Sequence, residues 1–378
     1  MKNIAYMLHA SFFRAAACLT ATLWACACEQ QLPDSKIQGN FYTPRYANGF
    51  CIDTGGGAKT LTVVNPFQNS KDVAYRYALS DTPPKRVICM STTHVAFLRF
   101  IGREECIVGV SGAGRLYDPL LLAACARGDI SDVGYDNTLN MEKILALQPD
   151  AIFAYGIAGE FSATAAKLEE LGLKVIYIGE YTENHPLGKA EWAVAFAALF
   201  GCEQPTVEKF AQVAATYEAV RDSVVASGAS KTKTLLNAPW SDTWFVPGAQ
   251  GNAAQLLSDA GGESVIALRN RRDSYPISIE QACRSAQSAD IWLNVGQATT
   301  LSELRAMHKL VETIPAFRRG SVYNSTARMN PQGGSDFFES GTVNPQLILK
   351  DIVKILHPEL FTSDTLTYYR QLKDETSL

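Results

Sequence analysis

The chain lacks most of what the common chemistries require. Its 378 residues hold no long basic block; 34 Lys and Arg face 38 Asp and Glu, for a formal net charge of −4 and a pI near 5.8. That balance argues against nucleic acid as a partner. After residue 30 no stretch is apolar for long enough to cross a bilayer. No Cys-x-x-Cys pair occurs. Of nine cysteines, Cys18, Cys26 and Cys28 lie near the N-terminus, and Cys51, Cys89, Cys106, Cys125, Cys202 and Cys283 are scattered. Cys89 and Cys106 sit in apolar runs, as buried thiols do; this is no disulfide scaffold, although a bridge stays open. Histidine is scarce: past the N-terminal region only His94, His185, His308 and His357 remain, with no His-rich loop. A bare zinc or manganese site wants several converging His and carboxylates. His308 falls within an expected helix and His357 precedes a proline, both suited to surface or structural roles. Asp53-Thr54-Gly55 spells an aspartic-protease triplet, but no second copy exists to share a proton, and the glycines that follow are ordinary turn composition. The run GVSGAG (109–114) fits neither a nucleophile elbow nor a dinucleotide loop.

What is present points to export. Lys2 and Arg14 flank a short start, and Ala15 to Ala27 is apolar and small, as in a secretory signal. Leu23-Trp24-Ala25-Cys26 has the form of a lipobox, with Cys26 as the lipidated residue and Cys28 as a weaker second frame. A plain signal peptide with incidental cysteines is the alternative. Residues 1–28 are therefore read as signal and 29–46 as a polar tether. The whole chain is 47% hydrophobic, and its length is enough for a sizeable core and for two domains or one large one.

Residues 47–80 alternate apolar and polar positions around a Gly-rich turn, which predicts a strand-and-turn extension. From residue 83 strands alternate with helices: strand 83–91, a helix over HVAFLRFIG, strand 106–112, helices near 118–127 and 140–147, strand 151–155, helix 161–171, strand 174–178. This alternation predicts a parallel sheet in an α/β layer. Glu191 to Phe200 is helical, and Pro205 opens a long periodic run closed by Gly228, a connecting helix over 206–226 within a helical segment 186–228. Then α/β alternation resumes: strand 233–238, helices 251–260 and 278–286, strand 290–295, helix 301–310, strand 321–323, helix 343–356. The reading is one lobe over 47–185, a second over 229–378, and a stiff helix between them.

Two stretches echo each other across the lobes. NMEKILALQPDAIFAYG (140–156) resembles SIEQACRSAQSADIWLNVG (278–296): a polar cap, a Glu two residues on, a short helix, then an apolar strand ending in Gly. The Glu-to-Gly spacing is fourteen residues in one and sixteen in the other. Taken singly, Glu142 and Glu280 suit the N-terminal end of a helix dipole, and Ser278 with Gln281 forms a capping-box pattern. Taken together, they put two carboxylates on one outer face, which a partner with two Arg pockets would read.

From Arg86 to about Leu360 the chain resembles the periplasmic substrate-binding proteins of ABC importers for ferric siderophores, haem and cobalamin. The resemblance is carried by RVICMSTTHVAFLRFIG, IVGVSG, DVGYDNTLNMEKILALQPDAIFAYG, the long helix, FVPGAQGNAAQLLSDAGG and PISIEQACRSAQSADIWLNVG, most specifically by Gly134 to Gly156. It implies two parallel-sheet α/β lobes joined by one rigid helix, the helical-backbone metal-receptor type. It implies that Glu142 and Glu280 dock on Arg residues of the permease. Residues 30–83 have no counterpart in the shortest members, and the cargo does not carry over.

Aromatic and Arg residues expected at strand ends suit a large conjugated or anionic ligand: Tyr117, Tyr135, Tyr155 and Tyr181 in the first half, Trp240, Trp244, Tyr275 and Phe338 in the second. Arg115 follows a strand, and Arg271 and Arg272 lie in a loop with Arg269; their forks pair with carboxylates. His94 follows a strand end and could offer an axial imidazole, although a packing role competes. The loop GGSDFFESG (333–341) suits a cleft lining. The expectation is a lipid-anchored, monomeric, extracytoplasmic binding protein without catalytic residues or cofactor, whose ligand is an iron or cobalt chelate and whose partners are a permease and, through the anchor, a membrane. A zinc- or manganese-ion-binding protein of similar architecture, or an extracytoplasmic enzyme on a two-lobed scaffold, is the alternative.

Overall fold

The computed structural model describes residues 37–38, 41–53, 58–68, 70–135, 138–156, 160–362 and 365–374; the side chains of 37, 38, 41 and 160–164 are outside that description. Cys26, Cys28 and the expected signal lie outside the described residues. The first described segment is an antiparallel meander of β1 (Ile37–Gln38), β2 (Phe41–Tyr42), β3 (Phe50–Asp53), β4 (Thr60–Val64) and β5 (Ala74–Ala78), neighbours in that order. Period-two patterning makes these strands: in β4, Leu61 and Val63 are buried while Thr60, Thr62 and Val64 are half-buried.

The first lobe follows as β6 (Val87–Cys89), α1 (Thr92–Phe100), β7 (Ile107–Val110), α2 (Pro119–Arg127), β8 (Ser131–Asp132), α3 (Met141–Ala146), β9 (Ala151–Ala154), α4 (Glu160–Glu170) and β10 (Val175–Tyr177). The sheet is parallel throughout, in the order β10-β9-β6-β7-β8. β6, β9 and β10 are buried along their length, as expected where helices cover both faces. Ser91, Asp118 and Asn140 cap α1, α2 and α3 by accepting from backbone N–H groups of the first turn.

Two helices separate the lobes. Every residue of α5 (Pro186–Phe200) except Lys189 is buried. α6 (Glu203–Ser227) has 25 residues, about 38 Å at the standard rise. It begins three residues before the expected 206, with Pro205 inside the first turn, where a missing N–H leaves no helical bond unmade. It ends at Gly228, in the left-handed region with φ 65°. The expected tether over 29–46 is corrected here. Ile37–Gln38 and Phe41–Tyr42 are strands, and Tyr42 and Tyr46 are buried where Glu191 of α5 accepts from the Tyr42 hydroxyl and from the N–H groups of Arg45, Tyr46 and Ala47.

The second lobe runs β11 (Thr232–Leu236), β12 (Pro239–Trp240), β13 (Thr243–Val246), α7 (Asn252–Asp259), β14 (Gly262–Ser264), β15 (Tyr275–Ser278), α8 (Ile279–Ser285), β16 (Ile291–Leu293), α9 (Leu301–Met307), α10 (Pro315–Arg318), β17 (Val322–Asn324), α11 (Ser340–Val343), α12 (Pro345–Leu356) and β18 (Arg370–Gln371). Its main sheet has the order β14-β11-β16-β17-β18, parallel except for β18. A second sheet, β12-β13-β15, is antiparallel and was not foreseen. α9 stops at Met307 rather than 310 because His308 is extended (φ −165°, ψ 133°) and caps the next turn. His308 therefore lies outside the helix. The six described cysteines are free, with Cys89, Cys106 and Cys283 buried.

Candidate functional site

The strand order places the site. In the first sheet the chain moves outward through β6, β7 and β8, then returns to β9 and β10, so direction reverses between β6 and β9. In the second it reverses between β11 and β16. Crevices open beyond the carboxyl ends of strands at such reversals. The echoed stretches explain themselves here: α3 leads into β9 and α8 into β16, the strand across the reversal in each lobe. Each repeat thus carries a Glu at its helix start and delivers its strand end to a crevice.

Two cavities lie along these crevices and share Phe338, and a third shares Asn252 with one of them. One, of about 200 Å³, is bordered by Met90, Ser91 and Thr92 after β6, by Arg115 and Tyr135, by Tyr155 after β9, and by Phe338. A second, of about 390 Å³, lies at the ends of β11, β16 and β17, against Asn237, Asn294 and Ser325, with Phe338 on its wall and Lys189 of α5 among its lining residues. The third, of about 890 Å³, joins the second at Asn252 and reaches Phe67 and Lys71 of the extension, Tyr181, Arg271 and Arg272. Volumes of this order suit a small-molecule cargo. Asn237 and Asn294 both take positive φ, 67° and 63°, a conformation Asn tolerates and one found at functional strand ends.

The expected residues divide. Arg115, Tyr135, Tyr155 and Phe338 come together on the first cavity, with the Arg115 guanidinium 4.0 Å from the Tyr135 ring centroid. Phe338 is 60% exposed. Tyr181, Arg271 and Arg272 border the third cavity. The Tyr181 hydroxyl donates to the Gly156 carbonyl, and burial pushes it up to about 12. Others are corrected. Trp244 is fully buried, stacked on Trp292 and donating its indole N–H to the Leu236 carbonyl. Tyr275 is buried beneath Arg269 and donates to the Ala267 carbonyl. His94 is fully buried in α1 among Phe153, Tyr155 and Phe196, and burial pushes its imidazole down to about 3, so it offers no axial ligand to a cleft. Tyr117 borders none of the three cavities; its backbone N–H donates to Glu339, tying the two lobes together. Trp240 is 78% exposed on β12 and also borders none of them.

Glu142 and Glu280 are exposed in the first turns of α3 and α8. Neither is the cap acceptor; Asn140 and Ser278 fill that role. The backbone N–H at the start of α8, and then the Ser278 hydroxyl, hold the Glu280 carboxyl below its usual range.

Sequence reading missed Lys189, Asn237, Asn252 and Asn294. For Lys189 a signal existed: it is the one basic residue in a helix otherwise apolar apart from Glu191. Burial pushes its ammonium down, opposed by the charge of buried Glu180. Among the described residues no group of three or more His, Cys, Asp and Glu side chains is placed to hold a metal ion.

At the lobe contact, Glu339 is buried, accepts from Tyr117 at 2.8 Å through one oxygen, and leaves the other without a partner. Burial first, then Asp336 and Asp118, push its carboxyl up to about 7. Its folded value exceeds its unfolded one, so its contribution is full below about 4.5 and is lost as pH rises through about 7. Glu339→Gln keeps an acceptor for Tyr117. Urea melts should show this variant gaining up to roughly 3 kcal/mol on wild type at pH 8 and nothing at pH 4. Equal pH slopes in the two proteins would remove the argument.

Residues 87–329 match the model of the family described as periplasmic binding protein. An uncharacterized lipoprotein of Methanocaldococcus jannaschii is 27% identical over 299 residues, 75% of this chain and 68% of the relative. A periplasmic heme binding protein from Pseudomonas aeruginosa has a TM-score of 0.54 at 17% identity, covering 73% of this chain and 93% of that one. The periplasmic vitamin B12 binding protein of Vibrio cholerae has a TM-score of 0.52 at 17% identity, over 75% of this chain and 99% of that one. At those identities the structures establish a shared two-lobed fold.

Proposed function

The chain belongs to the periplasmic binding protein family, and from that premise we propose that it captures an iron or cobalt chelate between its lobes and delivers it to an ABC permease. The observation that carries this reading is the pair of cavities at the two sheet reversals, which share Phe338 on their walls and of which the first is also lined by Tyr135 and Tyr155. Aromatic faces take up the ring or apolar backbone of a chelate by dispersion and by excluding water. Arg115 offers its fork to an acidic edge. Binding needs no covalent step, and the family is one of solute-binding proteins, which supports a non-catalytic role. Anchoring through Cys26, or through Cys28, is supported by the lipoprotein relative.

One preparation tests the whole. Protein taken from the membranes of its own cells should carry the mass of a lipidated N-terminal cysteine. In calorimetry it should bind one of haem, cobalamin or a ferric siderophore panel, and not free zinc, manganese or ferric ion. Tight binding of a bare ion, with none for any chelate, would overturn the assignment.

A further inference from the structure

We infer that the chamber between the strand extension and the second lobe is a separate subsite of the cleft, built for an anionic arm carrying carboxylate or phosphate-type oxygens. The inference rests on the cleft being the cargo site. The chamber is larger than the cavity at the ends of β11 and β16, about 890 against 390 Å³, and the two meet at Asn252. Its wall on the extension lies outside residues 87–329, so the lobes alone do not form it.

Both walls are held in place. On the extension, Phe67 bridges to Gly156, where no side chain would fit: a Cβ there would come within 2.3 Å of the Phe67 ring. Phe67 also packs edge-on against Tyr75 and Tyr177, and Ser70 donates to its carbonyl at 2.7 Å. Lys71 therefore follows a residue, Ser70, that is tied to Phe67. On the other side, Ala249 and Gln250 donate backbone N–H groups to the carbonyls of Arg269 and Arg271. Gly248 is required by that contact, since a Cβ would come within 2.1 Å of the Arg271 carbonyl oxygen. The arginine loop is thus clamped against the lead-in to α7.

Charge gives the chamber its sign. Lys71, Arg271 and Arg272 line it, against Glu183 and Asp273. The Glu183 carboxylate is already engaged by the N–H groups of Asn48 and Gly49 and by the Trp192 indole. Asp273 lies 3.7 Å from Arg271. Lys71 and Arg272 have no carboxylate within ion-pair distance among the described residues. Cations gathered on one chamber repel each other, and an anion between them removes that cost. On the shared wall the Asn252 amide nitrogen is buried and has no acceptor. A buried donor left unbonded is costly, and an anionic oxygen satisfies it.

Calorimetry of the full mature chain at low salt, with citrate and pyrophosphate as probes and trimethyl citrate as the uncharged control, tests this. Wild type should bind at least one of the two anions and not the ester; the stronger anion tells carboxylate from phosphate recognition. Lys71→Gln should weaken that binding a few-fold, and Lys71→Gln with Arg271→Gln and Arg272→Gln by at least about tenfold, the scale of lost charge-assisted contacts. All three side chains are exposed enough for the variants to fold, which a thermal melt verifies. Equal binding of the ester, no binding of either anion by wild type, or full anion binding by the triple variant would each overturn the subsite. Anion binding that the triple variant loses, in a protein that takes no chelate from the wider panel, would leave the subsite standing and sink the transport reading instead.

Discussion

Glu142→Ala combined with Glu280→Ala should abolish cargo uptake and leave cargo affinity unchanged. Neither residue borders any of the three cavities, so the cleft should not register their loss. Neither caps its helix; Asn140 and Ser278 do, so each helix loses only a favourable charge in its first turn. The fold should therefore survive. Docking is different. An exposed carboxylate on each lobe, in matching positions of two matching units, suits a permease that offers an Arg to each. A hydrogen bond between charged groups contributes about 1.5–3 kcal/mol, so losing both weakens docking by roughly 10²- to 10⁴-fold. Each single variant should keep partial uptake, because one contact remains. Uptake of labelled metal in cells, set beside calorimetry on the purified variants, separates the two effects. If the double variant transports at the wild-type rate, the two Glu are helix-start residues and nothing more.

Periodicity made the elements legible and could not make the site legible. The α/β alternation from Val87 onward, the long helix and the terminal helix near 343–356 all follow from spacing, and the structure differs from those readings by a few residues at their ends. Strand order is another matter. Nothing in the spacing says that β9 returns beside β6, or that β16 lies beside β11, yet those reversals put Tyr155 and Asn294 at the cleft. The hairpin of β12 and β13 has strands of two and four residues, too short to show alternation. In such a strand one position of register decides which face a side chain takes. Trp240 and Trp244 look alike in the sequence; one is 78% exposed and the other fully buried. The lining amides Asn237, Asn252 and Asn294 carry no pattern, because Asn is ordinary composition at a turn. Residues 42–49 looked like the end of a tether and the start of an extension because their partners, Glu183 and Glu191, are more than 130 positions away.

That distant pairing yields the largest expected loss of stability, at Glu191. Its carboxylate is fully buried, with one oxygen accepting from the Tyr42 hydroxyl at 2.9 Å and the Arg45 N–H at 2.8 Å, and the other from the N–H groups of Tyr46 at 2.7 Å and Ala47 at 2.8 Å. Burial pushes its carboxyl up, and the three N–H groups and the hydroxyl pull it back. Glu183 continues the pattern onto Asn48 and Gly49. Five consecutive backbone donors thus converge on two carboxylates, and this is what fixes the extension to α5. Glu191→Ala would leave the N–H groups of Arg45, Tyr46 and Ala47 without this acceptor, each costing about 1–3 kcal/mol if no water enters, and would remove one bond of the Tyr42 hydroxyl. Partial relaxation should bring the total to roughly 3–5 kcal/mol, the range for breaking a buried charged network. Glu191→Gln should recover only part of it. The amide oxygen can serve the Tyr46 and Ala47 N–H groups, while its NH₂ faces the Tyr42 hydroxyl, which can turn to accept, and the Arg45 N–H, donor against donor. Glu218→Ala is the control: Glu218 meets Arg45 and the Tyr46 hydroxyl at a half-exposed site and should cost about 1 kcal/mol. Urea melts give the ranking Ala below Gln below wild type at position 191, and limited proteolysis should open first within residues 42–53. A Glu191→Ala protein as stable as the Glu218→Ala control would mean that the extension is held by its apolar packing on Trp192 and Phe210 rather than by these carboxylates.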